Sequence, residues 1–271
     1  IIALQEIFSK GAMDNILTRL GKNWMGMWDS PNARTAQAAE GYAFIWNKKR
    51  IKLAESVTAN GRRIYYPRIY NQYKIDRDNN QAPLIRNPYY GRFVPVHGFF
   101  ELRIINIHIM YSAKSYDDKI SLSDAVKRKK EFEVIVRSIY AKEADKRYGN
   151  NMPAYTVIAG DYNLNLNRPW TKWPYVDEVI KIEDRENIKY VKTIQDQLTT
   201  LKKINENNDT NDTRGFANNY DHFSYDTNRF KEIKVESRRI DTVRKYERDD
   251  FDKHREEISD HIPIIMNINL K

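Results

Sequence analysis

The stretch FFELRIINIHIMY, Phe99 to Tyr111, constrains the fold most, because it contains one long β-strand whose two faces differ. Leu102, Ile104, Asn106 and His108 share one face, and Arg103, Ile105, Ile107 and Ile109 share the other. An amide and an imidazole thus stand in register with the apolar residues of a sheet. Further strands are predicted at Ile1 to Leu4, ending on Gln5-Glu6, at Gly41 to Asn47 and at Thr156 to Ala159. The last strand alternates Ile264, Met266, Ile268 and Leu270 against Ile265, Asn267 and Asn269. Two segments have helical spacing. Ser9 offers an N-cap to Met13, Ile16, Leu17 and Leu20, with a stop at Gly21. Ser123 to about Arg147 carries a stripe of Val126, Phe132, Ile135, Val136 and Ile139. Arg62 to Arg92 and Asn205 to Asn219 read as long loops. Strands that outnumber helices predict an α+β sandwich, with residues 1–271 as one domain.

Composition narrows the partners. Lys and Arg outnumber Asp and Glu by 46 to 37, a formal charge of +9 that favours polyanions such as nucleic acid or acidic lipid. There is no cysteine, which excludes disulfides and thiolate metal sites. No apolar run approaches the roughly 18 residues of a membrane span, so no stable membrane insertion is expected.

Polar groups recur where strands end. VIAGDYNLN, Val157 to Asn165, runs from β-favouring residues into Asp161 and Asn163. Taken alone, that pair is as well explained by a turn. Glu6 ends the first strand, His108 lies within another, Asp221 precedes FSYD, and Asp260-His261 precedes the last strand. Each has a bland reading as a surface, turn or hydrogen-bonded residue. Their joint occurrence favours one rim where strand ends converge into a site.

In order and approximate spacing, LQEI, EGYAFIW, IRNPYYGRF, NIHI, GDYNLN, NYDHF and SDHIPI resemble the endonuclease/exonuclease/phosphatase superfamily, in its deoxyribonuclease I-like branch. They run from residue 4 to residue 264. The resemblance implies a four-layer αββα sandwich and a divalent-metal phosphodiesterase site using Mg²⁺, or Ca²⁺ or Mn²⁺ in its place. Glu6, Asp161 and Asp260 resemble the metal-site acids. His108 and His261 resemble the opposing catalytic histidines, with Glu40 and Asp221 as their carboxylate partners. Asn163 resembles the phosphate-holding amide and Arg86 an arginine near the phosphates. Such groups suit in-line displacement: a hard cation neutralises phosphoryl charge, an amide donates without adding negative charge, and imidazoles move protons near neutral pH.

The sequence departs from the family at three places. The family begins with a strand bearing a metal-site asparagine, then a helix, whereas here the glutamate stands at position 6, so the sandwich is expected to lack its first strand and helix. Phe8 replaces the arginine that enters the DNA minor groove, and Ala38 replaces a groove-contacting tyrosine. The activity expected is a metal-dependent endonuclease acting on DNA with little sequence preference. The alternatives are a phosphoinositide phosphatase or sphingomyelinase-type phosphodiesterase, and a silent binding module. A secreted or cell-surface location is expected over a cytoplasmic one. His97, His222 and His254 read as surface or loop histidines, Trp170 and Trp173 as loop packing, Asn208 and Asn211 as glycosylation sequons, and Lys127 to Lys130 as a solvated helix face.

Overall fold

A computed structural model describes residues 1–30, 40–57, 60–61, 63–64, 66–70, 74–77, 80–84, 86–109, 118–148, 152–166, 175–183, 187–202 and 215–270. The readings made on Ala38, Trp170, Trp173, Asn208 and Asn211 lie outside the described residues.

Alternation in one strand explains the layering. Strand β1 (Ile2–Ile7) is followed by helix α1 (Lys10–Leu20), β2 (Trp24–Asp29) and β3 (Gly41–Asn47), and the three strands form a sheet in the order β1-β3-β2. Every second residue of β3 points the same way. Ala43 and Ile45 cluster with Met13 of α1, while Tyr42, Phe44 and Trp46 pack on Tyr89, Phe93 and Ile104 of a second sheet. One strand thus separates an outer helix layer from an inter-sheet core.

Among the described residues, the second sheet has eight strands. Its members are β4 (Ile51–Leu53), β5 (Tyr89–Pro95), β6 (Glu101–His108), β7 (Ala154–Asp161), β8 (Val179–Glu183), β9 (Ile188–Ile194) and β10 (Asp221–Asp226), with Arg68–Ile69 also pairing β5. The order is β8-β9-β10-β7-β6-β5-β4. Strand β6 runs parallel to β7, and the crossover between them is helical. Helix α2 (Asp118–Val134) continues through a π-helical turn, Ile135–Tyr140, into Ala141–Asp145. Ile105, Ile107 and Ile109 on one face of β6 meet Phe132, Ile135, Val136 and Ile139 of this crossover. The two-faced reading of β6 holds, and the four layers are α1, sheet, sheet, α2. Strands β11 (Lys234–Arg239) and β12 (Ile264–Asn269) form an antiparallel pair, with helix α3 (Phe251–Glu257) before β12. Val235, Met266 and Ile268 of that pair cover Val157 and Tyr225.

Two expectations are corrected. Arg62 to Arg92 is not a loop throughout: Tyr89 to Arg92 belongs to β5, whose residues Tyr89–Val94 are buried. Its aromatic content fills both cores, Tyr89 and Phe93 on one face and Tyr90 on the other. His222 and His254 are buried rather than superficial, His222 at 0% exposure within β10. His97 is exposed, and in the Lys127 to Lys130 run Arg128 is buried.

The Ser9 cap is as expected, its hydroxyl accepting from the Ala12 N–H at 3.1 Å. Ser9→Ala will cost about 1 kcal/mol and lower the thermal midpoint by about 2–4 °C, readable by circular dichroism melting. No change would mean that water caps the helix equally well.

Candidate functional site

Strand register builds the site. In the parallel pair His108 of β6 lies opposite Asp161 of β7, and in the antiparallel pair Asp161 lies opposite Asp221 of β10. Three chemistry-bearing residues therefore stand in one row across three adjacent strand ends. The close approach of β6 and β7 depends on Gly160, at φ 141°, where an added Cβ would lie 2.0 Å from the Ile107 carbonyl oxygen. His261 reaches the row because Thr200 bridges to it and the Ile262 N–H donates to the Thr199 carbonyl at 2.9 Å.

Glu6 arrives from the other sheet. The register of β1 on β3 shifts between Leu4 and Ile7, and Glu6 within this irregularity takes φ 57°. The Trp28 indole N–H holds the following carbonyl, Ile7 O, at 2.7 Å. The Gln5 side chain donates to Asn106 Oδ1 at 2.5 Å, and Asn106 Nδ2 donates to Leu4 O at 3.0 Å. The amide on the inner face of β6 thus ties the two sheets together one residue from Glu6. Asn163 also has a left-handed backbone, φ 48°. Non-glycine residues in that region are uncommon and concentrate where surroundings over-determine them.

The side chains form two linked clusters. In the first, Arg86 bonds Glu40 and donates from Nη1 to His108 Nε2 at 2.7 Å. Because Arg86 can only donate, His108 Nε2 accepts and the ring proton sits on Nδ1, 3.8 Å from Glu40 Oε2. Glu6 Oε1 lies 3.6 Å from His108 Nε2. In the second cluster, His261 Nδ1 lies 2.8 Å from Asp221 Oδ2. Asp161 Oδ1 accepts from the Asn163 N–H at 2.7 Å, closing a turn, and Oδ2 accepts from Asn163 Nδ2 at 3.0 Å. Asp161 is therefore both the turn residue and a site residue. Its Oδ2 joins the clusters, 3.4 Å from His108 Nε2 and 3.9 Å from His261 Nε2.

Electrostatics separate the two imidazoles. Burial holds His108 well below its ordinary value, helped by the positive Arg86 and His261, so it is neutral. Burial also opposes charge on His261, but Asp221, then Asp161 and Asp260, outweigh it and raise His261 to about 10. Burial pushes Asp161 up to about 7, with Asp221 and Glu6 adding to the push and His261 opposing it. Glu6 is raised by burial and by its like-charged neighbours Glu40 and Asp260.

Clustered carboxylates with an imidazole beside them fit a hard divalent cation. Ligand atoms of Glu6, Glu40 and His108 lie within 4.8 Å of one another, as do those of Asp161, Asp221 and His261. A cation at Glu6, whose side chain is 54% exposed, would relieve the repulsion that Glu40 and Asp260 add to the effect of burial there. Asp260 belongs to neither group but is close enough to act on the charge of Glu6 and His261, and its Oδ2 lies 3.3 Å from Arg255 Nη2. Arg255 also donates to Leu201 O at 2.7 Å. This arginine was not singled out from sequence, and nothing local to it in the chain marks it. Gln195 was missed as well. Its Nε2 donates to the Asp221 carbonyl at 3.0 Å from a backbone at φ 82°.

No family model matches the chain, and no curated protein matches it. Solved structures do. The D. rerio TDP2 structure complexed with single-strand DNA product aligns at 16% identity and a TM-score of 0.51, over 99% of this chain and 85% of that one. A functionally unknown conserved protein from Enterococcus faecalis V583 aligns at 13% identity and a TM-score of 0.46, over 93% and 79%. Truncated Caenorhabditis elegans TDP2 aligns at 13% identity and a TM-score of 0.41, over 99% and 83%. The first of these likenesses, with the four layers above, shows the deoxyribonuclease I-like fold.

Proposed function

We propose that this chain, with its deoxyribonuclease I-like fold, is a divalent-metal-dependent endonuclease that hydrolyses DNA phosphodiester bonds with little sequence preference. The observation that carries the reading is the position of Asp161 Oδ2 between two imidazoles held in opposite protonation states. Groups whose environments push their proton affinities apart define acid and base roles. DNA is favoured as substrate by the +9 charge, and the D. rerio TDP2 structure that shares the fold holds a single-strand DNA product.

Glu6, Asp161 and Asp260 are the residues that would hold Mg²⁺, with Ca²⁺ or Mn²⁺ as substitutes. Bound there, the cation supplies positive charge to the phosphoryl and leaving oxygens. The chain's own groups do the rest. The neutral His108 takes the proton of the attacking water at Nε2, in exchange for its hydrogen bond from Arg86. His261 carries its positive charge to the non-bridging oxygens from a ring held by Asp221. Asn163 keeps the Asp161 carboxylate in place, its amide shared between Asp161 Oδ2 and the Ile109 carbonyl at 2.7 Å. Arg86 fixes the tautomer of His108 and brings a second positive charge to the phosphate side.

Supercoiled-plasmid nicking tests this directly. Nicking is expected with Mg²⁺ or Mn²⁺ and none with EDTA, with no common cleavage sequence among the products. Absence of nicking with every divalent ion, alongside release of phosphate or phosphocholine from lipid substrates, would sink the nuclease reading.

A further inference from the structure

The rim opposite the site carries a second feature. Strand β3 begins at Gly41 beside Glu40, β5 begins three residues after Arg86, and β6 ends on His108. The turns after Asn47 and Pro95 therefore lie at the other end of these strands, roughly 25 Å away for an eight-residue strand. They are stitched into one surface. The Lys48 N–H donates to Asn23 O at 2.8 Å, and the Val96 N–H donates to Arg50 O at 2.8 Å.

This rim is basic and apolar together. Lys22, Lys48, Lys49 and Arg50 are exposed. Among the described residues none of the four is in an ion pair, and the nearby Glu101 is occupied by Arg92 and Arg103. Phe99 is 69% exposed and Val96 37% exposed at the tip of the β5–β6 turn. The tip is tightly built: a Cβ on Gly98 would lie 2.7 Å from Pro95 Cγ, and the Phe100 ring packs edge-on against Tyr155 at 6.3 Å. Phe100 is anchored while its neighbour Phe99 projects.

We infer that this distal rim docks the protein on the surface of an anionic lipid bilayer, with Phe99 entering the headgroup boundary and the surrounding cations meeting lipid phosphates and carboxylates. Apolar insertion and electrostatic attraction combine in interfacial binding of this kind. A single-stranded nucleic acid would call for several aromatic platforms along a groove, whereas one projecting ring suits a plane. With this rim on the bilayer, the catalytic rim faces away from it. Docking then tethers the enzyme and leaves the site open to a substrate in solution, independently of which phosphodiester the site cleaves.

Co-sedimentation of the folded chain with vesicles tests the inference, and catalysis is not needed to read it. Binding is expected to equimolar phosphatidylcholine and phosphatidylserine, weakening with salt, and not to pure phosphatidylcholine. Lys48→Glu will lower the partition coefficient at least about fivefold, and Phe99→Ala about tenfold, with far-UV dichroism and hydrolytic activity unchanged. Lys130→Glu, on the exposed face of α2, makes the same change in net charge and will alter binding less than about twofold. Failure to sediment with acidic vesicles overturns the inference, as does an equal effect of Lys130→Glu, or binding indifferent to Phe99→Ala. So does retention on a single-stranded oligonucleotide that the Lys48 and Phe99 substitutions abolish without any vesicle binding.

Discussion

Replacing His261 by alanine will lower phosphodiester hydrolysis by about 10²–10⁴-fold. The ring stands on the last turn before β12, with Nδ1 bonded to Asp221 at 2.8 Å and Nε2 turned toward Asp161. Its proton affinity, raised to about 10 chiefly because Asp221 offsets the cost of burial, keeps it charged throughout the neutral range. A fixed positive charge in a partly desolvated site stabilises the charge that develops on phosphoryl oxygens, and it does so most in the transition state. The loss should therefore appear in kcat more than in KM. Truncation also leaves the buried Asp221 carboxylate without its partner, costing about 1–3 kcal/mol of stability, so rates must be compared well below the melting transition.

Asp221→Asn separates charge from position. The amide oxygen still accepts from His261 Nδ1, but the negative charge that raised the imidazole is gone. His261 then loses its proton at lower pH than in the parent, and the alkaline limb of the rate profile moves down in pH. A profile that stays in place, or full activity in His261→Ala, would remove His261 from the chemistry.

Legibility in the sequence followed the range of the interactions. The two faces of β6 were readable because alternation is a property of consecutive residues. The Ser9 cap was readable for the same reason. Strand β3 was readable only as a strand, and its part in the layering came from what packs on each side. The strand β5 was not, because Tyr, Arg, Asn and Pro read locally as loop. Arg92 is buried there at 0% exposure because Glu101, on the neighbouring strand two residues from Arg92's register partner Arg103, accepts two hydrogen bonds from it. His222 was misread likewise: its two ring nitrogens each sit 2.9 Å from a carbonyl oxygen, of Leu164 and Gln195, far away in sequence. At the site, residue types at strand ends could be picked out one by one. The register that sets His108, Asp161 and Asp221 in a row could not, since it follows from pairing. The arrangement of Arg86 between Glu40 and His108 is nonlocal in the same way.

Glu101→Ala will destabilise the fold by about 3–5 kcal/mol, because it strands two buried guanidinium groups. Glu101 is fully buried at the start of β6. Arg92 Nε and Nη2 each donate to it at 2.7 Å, and Arg103 Nε donates at 2.6 Å. The arginines have further support that removal of the acid leaves intact. Arg92 also bonds Ser56 and lies 3.3 Å above the Tyr148 ring centre, and Arg103 donates to the Glu143 carbonyl. That support orients the cations but does not neutralise them. The apolar double variant Glu101→Met with Arg92→Met should recover part of the loss, since a buried ion pair is costly to desolvate and most of the single-variant penalty is the unpaired charge. The pH dependence has a definite sign. Burial pushes the Glu101 carboxyl up, yet Arg92 and Arg103 outweigh it and hold it below its ordinary range. A depressed carboxylate stabilises fully above its unfolded-state value and loses that contribution as pH falls through the folded value. Urea unfolding of parent and variant should therefore differ most near neutral pH, and the gap should narrow on acidification. A difference below about 1 kcal/mol at neutral pH would mean that the carboxylate, despite its burial, is no more than a surface-strength partner to the two arginines.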